Sequence, residues 1–251
     1  MRKNLPATLF LLLLFGGWEL GARQGFVDPF LLPAPSRIAG ALAGDWAAFA
    51  QSGWVTVKLA LASLGLAVLS GVAGAAAFAL APRLERALLP LVIALQVTPV
   101  VAVAPLLIVW FDDAWTASLL CAWLVALFPL LSNTLTGLRA ADPRLLELFA
   151  LYRATPLQRL RWLLLPSSLP YFLAGLRVGA GLALIGAVVA EFAAGAAGAH
   201  TGLASRLLEA MFRNDLPRMF AALALIVATG LLLYAVVGAL ERWLVGRWKG
   251  R

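Results

Sequence analysis

Long apolar blocks alternate with short polar gaps along the whole of this chain. Blocks at 56–81, 87–111, 115–138, 168–192 and 217–240 each hold about twenty residues or more, which is what an α-helix needs to cross bilayer hydrocarbon. A shorter block at 5–18 continues through Glu19 and Leu20 and is followed by no convincing small-x-small cleavage site. It therefore reads as a first spanning helix and not as a cleaved leader. The pattern predicts an all-α, polytopic membrane fold of about six transmembrane helices, organised as one domain over residues 1–251.

Inside the blocks, small residues recur at helical spacing. Ala67, Gly71 and Ala75 form one row, with Ser70 and Gly74 beside it, and Gly175 and Gly179 form another. Such rows predict close helix packing in lipid. The block at 87–111 carries Gln96, Thr98, Pro99 and Pro105. Proline frees backbone carbonyls, so the break at Pro99 belongs against protein or water, with Gln96 and Thr98 either lining a path or bonding helix to helix. Asn133, near one end of its block, and Glu191, near the end of the next, are further path candidates. Snorkelling to the interface is the alternative for Glu191 and for Arg177.

The gaps read as follows. Pro29, Pro33 and Pro35 exclude a helix at the start of 23–51, and Ser36 is expected to cap an amphipathic stretch at 37–49. Asp112 and Asp113 read as solvated loop charges, 193–202 as a flexible Gly/Ala loop and 203–212 as a short surface helix. Asp215 and Pro217 start the last helix, and 241–251 is a basic tail in which Trp243 and Trp248 anchor at the interface.

The longest polar interruption, 141–171, is expected to be the working surface. Asp142-Pro143 pairs an N-cap acceptor with a ring suited to the first helical position. Thr155-Pro156-Leu157-Gln158 repeats the device at capping-box spacing, so a second helix should start there and run toward Pro166. The result is a helix-turn-helix elbow. On its first helix Leu145, Leu148, Phe149 and Tyr152 recur at helical spacing, while Arg144, Glu147 and Arg153 supply charge.

Composition narrows the chemistry. With 63% hydrophobic and 13% charged residues, the chain is too apolar for a soluble globule. The net charge of +8 sits mostly in the gaps between blocks, not gathered on a solvated face, which argues against nucleic acid as a partner. Cys121 lies in an apolar run and reads as a small hydrophobe; His200 stands without supporting ligands or triad partners. There is no P-loop sequence, so any ATP must be handled by another polypeptide. With both termini and the loops after the second and fourth helices on one side, that side holds thirteen Lys and Arg against six opposite. The positive-inside rule then places the termini and the elbow in the cytoplasm.

Here the residues resemble a known family. Asp142-Pro143, Leu145-Leu146-Glu147, Ala154-Thr155, Gln158, Leu164-Leu165-Pro166 and Leu169-Pro170 are similar to the EAA loop in permease subunits of ATP-binding-cassette (ABC) importers. The similarity continues through 31–36, 99–111 and 174–192, and points to the nitrate/sulfonate/taurine branch, with its permeases for pyrimidine precursors of thiamine and riboflavin-like compounds. Leu148 and Phe149 stand where two alanines are usual, and Arg153 stands at the usual glycine, which leaves the turn without a residue free to adopt positive φ.

The resemblance implies that the elbow, about 139–167, is a cytoplasmic coupling loop that docks into a cleft on an ATPase. Arg144, Leu145, Glu147, Leu148, Phe149, Tyr152, Arg153, Ala154 and Thr155 would form that surface. Burial of Leu148 and Phe149 is expected to outweigh any charge contact of Glu147. It further implies a permease homodimer or pseudo-dimer in a bacterial inner membrane, a cytoplasmic ATPase holding ATP and Mg, and a periplasmic or lipid-anchored substrate-binding protein. This chain would bind no cofactor and perform no covalent chemistry. Two other classes were weighed. A secondary ion-coupled transporter usually places ionisable residues near the bilayer midplane, whereas here they lie nearer helix ends. A membrane-embedded enzyme needs a nucleophile, base or metal constellation, and none stands out.

Overall fold

The structure is a computed structural model that describes residues 5–26, 28, 30–195 and 201–249. Arg2, Lys3, His200 and most of the Gly/Ala loop lie outside the described residues, as does the side chain of Trp248. All regular structure among the described residues is helical. The helices are α1 (Leu5–Arg23), α2 (Pro35–Gly44), α3 (Trp46–Leu80), α4 (Pro82–Val97), α5 (Val100–Phe111) and α6 (Ala114–Arg139). They continue as α7 (Pro143–Leu151), α8 (Pro156–Arg159), α9 (Leu165–Ala194), α10 (Leu203–Phe212) and α11 (Leu216–Lys249). Among the described residues four helical stretches are long and apolar enough to span a membrane: α3, α6, the run Pro156–Ala194, and Leu216–Leu244 within α11. The pair α4 and α5 adds a fifth if taken as one bent span. The expected total of about six is met only if that pair and the nineteen-residue α1 are both counted.

Several boundaries differ from the sequence reading, each for a local reason. Ser36 is not a cap: Ala34 occupies that position, Pro35 starts α2, and the Ser36 hydroxyl donates to Glu19 at 2.7 Å. The other Glu19 oxygen accepts from the Ser36 amide at 2.9 Å, so a carboxylate on α1 satisfies a free donor at the α2 N-terminus. α3 begins at Trp46 instead of 56, because no proline interrupts the chain there. Asp113 is not a free loop charge; its carboxylate caps α6 by accepting from the Thr116 amide at 2.8 Å. The basic tail is not separate, since α11 continues to Lys249.

Prolines act differently at two places. At Thr98-Pro99 the expected single helix is two helices bent by 99°. Near Pro166, by contrast, the chain stays helical: Leu160–Leu164 form one wide π-type turn, and the Leu165 amide donates to the Leu160 carbonyl, five residues back. Pro166 has no amide to donate, and the re-registered ladder just before it absorbs that loss without a break.

The chain divides into two compact units, one from Met1–Val55 and Gly195–Ala228, the other from Thr56–Ala194 and Thr229–Arg251. In the first, Phe49, Leu203, Ala221 and Ala222 form a buried cluster, and Arg218 pairs with Asp45 at 2.6 Å. In the second, α6 and α9 lie against each other along most of their length. Glycines permit that approach. A Cβ on Gly186 would sit 2.7 Å from Ala122 Cα, and one on Gly137 would sit 2.8 Å from Ser168 Cα. Gly175 and Gly179 meet Asn133 and Leu130 between them, as the sequence rows anticipate. The Ala67, Gly71, Ala75 row faces the same α6, where Gly71 approaches Leu130, and the Trp123 indole donates to Ser70 at 2.9 Å.

Gly186→Ala forces backbone apart and should destabilise the protein by about 1–3 kcal/mol. Gly181→Ala has nothing within 4 Å and should be neutral or stabilising by up to about 1 kcal/mol. Thermal unfolding of both variants in one detergent checks this; equal shifts would refute the packing account.

Candidate functional site: the elbow and the polar path residues

The elbow forms as its caps dictate. Asp142 accepts from the Arg144 amide at 2.9 Å and starts α7. Thr155 and Gln158 form the reciprocal capping box: the Thr155 amide donates to Gln158 Oε1 at 2.8 Å, and the Gln158 amide to Thr155 Oγ1 at 3.3 Å. Between them, α7 closes on a Schellman turn. The Ala154 amide donates to the Phe149 carbonyl at 3.0 Å, and the Arg153 amide to the Ala150 carbonyl at 3.0 Å. Arg153 occupies the left-handed position of that turn, with φ 51°. An arginine therefore holds the left-handed angle that glycine adopts without strain, at a backbone cost of about 1–2 kcal/mol.

One side of the elbow is anchored. Leu146 and Phe149 of α7 pack with Leu160, Leu163 and Leu164 on a cluster built from Phe78, Leu131, Leu135 and Leu138. Arg139 at the end of α6 pairs with Glu85 of α4, whose side chain is 11% exposed. The other side is open. Leu145 is 43% exposed, Leu148 44%, Leu151 80% and Tyr152 80%, and Glu147 is exposed beside them. Phe149 is thus divided: half-buried against its own chain, it cannot offer its whole surface to a partner. Arg144, Arg153 and Thr155 are exposed, and Ala154 is half-buried.

Sequence reasoning missed three members of this surface. Leu151, Leu157 at 67% exposure and Trp162 at 66% extend the open apolar side. Leu157 sits inside the capping box, where its signal was legible; Trp162 lies in the wide turn, which no pattern announced. Leu148, Phe149, Tyr152, Ala154, Gln158 and Trp162 together enclose an open recess of about 330 Å³.

The candidate path residues are not brought together. Gln96, Thr98 and Pro99 are exposed at the α4–α5 bend, and Thr98 satisfies its hydroxyl within its own helix, at the Ala94 carbonyl, 2.8 Å away. Bonding to another helix is therefore not their role within this chain. Asn133 is half-buried in the α6–α9 contact and donates to the Pro129 carbonyl at 2.8 Å. Glu191 does not snorkel: it is 5% exposed and accepts from Thr56 Oγ1 at 2.8 Å, tying α9 to α3. Arg177 is half-buried, paired with Glu241 of α11 at 2.8 Å and lying over the Tyr234 ring at 5.1 Å. Gly238 leaves room for that guanidinium, since a Cβ there would be 2.8 Å from it.

A helical, multi-pass membrane protein with an anchored two-helix elbow, an apolar open face on it and no P-loop has the construction of a transport permease that works with a separate ATPase. The chain belongs to the family of binding-protein-dependent transport system inner membrane components, whose model matches residues 64–249. It is 38% identical to the riboflavin transport system permease protein of Chloroflexus aurantiacus, over 98% of this chain and 90% of that protein. It is 35% identical to the formylaminopyrimidine transport permease protein of Halalkalibacterium halodurans, over 97% of this chain and 96% of that one. A putative aliphatic sulfonates transport permease protein of Bacillus subtilis is 28% identical over 98% of this chain and 86% of its own length. The chain is the non-catalytic, multi-pass inner-membrane permease component of an ABC transport system for a small solute. Membership implies an ATPase on a separate chain and a substrate-binding protein as partners.

Thr155→Ala removes one half of the capping box and should cost about 1 kcal/mol of local helix stability. Hydrogen exchange at the amides of 157–160 should quicken about fivefold while the global melting temperature barely moves. Unchanged exchange would show that the box is not what holds the second helix.

Proposed function

We propose that the elbow is the surface through which this permease is driven, and that it docks into a cytoplasmic ABC ATPase carrying ATP and Mg. The single observation behind this reading is the open apolar row Leu145, Leu148, Leu151 and Tyr152 on an elbow whose opposite side is anchored in the helical bundle. Burying one such side chain in a cleft is worth about 1.5–3 kcal/mol. A partly exposed charge contact of Glu147 is worth about 0–1 kcal/mol. Arg144, Phe149, Arg153, Ala154 and Thr155 complete the surface. In this reading residues 1–251 act as one permease domain, two copies line one path, and both termini face the cytoplasm, as the excess of Lys and Arg on that side supports. A periplasmic or lipid-anchored binding protein delivers the solute. Two relatives at 35% identity or more are riboflavin and formylaminopyrimidine permeases by name, which favours a solute of that kind over a sulfonate, nitrate or taurine. Binding assays on the partner binding protein decide among them.

Mechanically, closure of the ATPase dimer on ATP draws the two elbows together, and the bundles switch the path between inward-open and outward-open states. The purified permease should hydrolyse no ATP, and ATPase should co-purify with it at matched expression. Leu145→Ser and Leu151→Ser should each lower co-purification more than Glu147→Gln, by about tenfold or more against less than about fivefold. The reverse order would make the docking surface electrostatic.

Gln96, Thr98 and Pro99 remain the proposed lining of the path, joined by Asn133 and Glu191 at other depths. Exposed polar groups in a spanning segment need water or a second copy of the chain. Cysteines at 96 and 98 in a Cys121→Ser background should react with a small aqueous thiol reagent. If both stay inert in inward-open and outward-open conditions, the path lies elsewhere.

A further inference from the structure

The recess on the elbow is built unlike the ridge that flanks it. Phe149 and Ala154 are half-buried and form its inner part, while Leu148, Tyr152 and Trp162 stand exposed around them. Its one amide side chain, Gln158, already spends its carbonyl oxygen on the Thr155 amide. At about 330 Å³ it lies at the low end of the range for small-molecule pockets, and so has room for one large side chain.

The charge around it is one-sided. Arg144, Arg153 and Arg159 are exposed and have no hydrogen-bond or ion-pair partner for their side chains among the described residues. Arg161 is engaged with the Trp162 ring, 5.2 Å from its centroid. Glu147 is the one exposed acid of α7. Arg153 lies between Tyr152 and Ala154, two residues that line the recess, and it holds a left-handed backbone angle that glycine would hold without strain. The two hydrogen bonds of the turn hold that angle, and they set the exposed guanidinium beside the recess.

We infer that docking is reciprocal: a large apolar side chain of the ATPase enters the recess formed by Leu148, Phe149, Tyr152, Ala154, Gln158 and Trp162, while a carboxylate beside it pairs with Arg153. The inference rests on the elbow being the ATPase-coupling surface. It makes Arg153 a specificity residue, one that rejects an ATPase lacking the acid at that place.

The test uses the assembled transporter in nanodiscs, with ATPase retention as the readout. Ala154→Leu and Ala154→Trp fill the recess and leave the Leu145 and Leu151 ridge intact, and each should lower retention about tenfold, as expected for loss of one anchor. Arg153→Glu should weaken retention further, Arg153→Lys should keep most of it, and added salt should weaken wild-type binding more than that of Arg153→Gly. As a check independent of variant folding, a cysteine at 154 in a Cys121→Ser background should label with a polar maleimide about tenfold more slowly when ATPase is bound. Equal labelling with and without ATPase overturns the inference, as does protection by lipid or by a second permease copy alone. If Leu145→Ser and Leu151→Ser release the ATPase while the Ala154 variants hold it, the recess falls and the coupling surface stands. If no elbow variant releases it, the coupling surface falls as well.

Discussion

The approach of α6 to α9 constrains everything else in the second unit. Four glycines, Gly137, Gly175, Gly179 and Gly186, lie along that contact, and at three of them a Cβ would come within 3.0 Å of the facing helix. In lipid there is no hydrophobic force to bring two apolar helices together, so close backbone approach and dispersion must do it. Once the pair is closed, polar groups at its borders are placed with little freedom: Asn133 turns back onto Pro129, and Glu191 is held under Thr56. At these two positions the residues proposed for the path are also tied into the packing.

The elbow hangs from the ends of that pair. α7 follows α6 across a three-residue gap, 140–142, and α8 runs through the wide turn into α9 without a break. Leu146 and Phe149 bind α7 to the α3 and α6 cluster, and the Glu85–Arg139 pair fixes the end of α6 to α4. Each of these contacts is local to the elbow. What remains on its open side is available for a partner because the anchored side consumes only part of the amphipathic helix.

Much of this was legible before any coordinates. The caps Asp142 and Thr155 and the small-residue rows rest on short-range rules and stand where the pattern put them, and the apolar blocks are helical with shifted ends and one break at Pro99. What was not legible depends on long-range or backbone context. Arg153 reads as the loss of a flexible turn, because sequence names the residue and not its φ; the Schellman hydrogen bonds override its preference. Pro166 reads as a stop, and the π-type turn that carries the helix past it has no residue signature of its own. Glu191 reads as a snorkelling charge because its partner Thr56 is 135 positions away in the chain.

A helix that ended at Pro166 would leave the elbow on a flexible joint, and displacement there would be lost in the joint. With Pro156–Ala194 continuous, a rotation of α8 would pass to α9, and the close glycine contacts couple α9 to α6. The weak point of that lever is the wide turn at Leu160–Leu164, where one ladder bond already spans five residues. Bending there would cost less than parting α6 from α9, since the turn needs only a change of hydrogen-bond register while the helix contact would lose packed surface along its length. In the proposed cycle α6 and α9 therefore travel as one body, and the angle between that body and the elbow is set at 160–164.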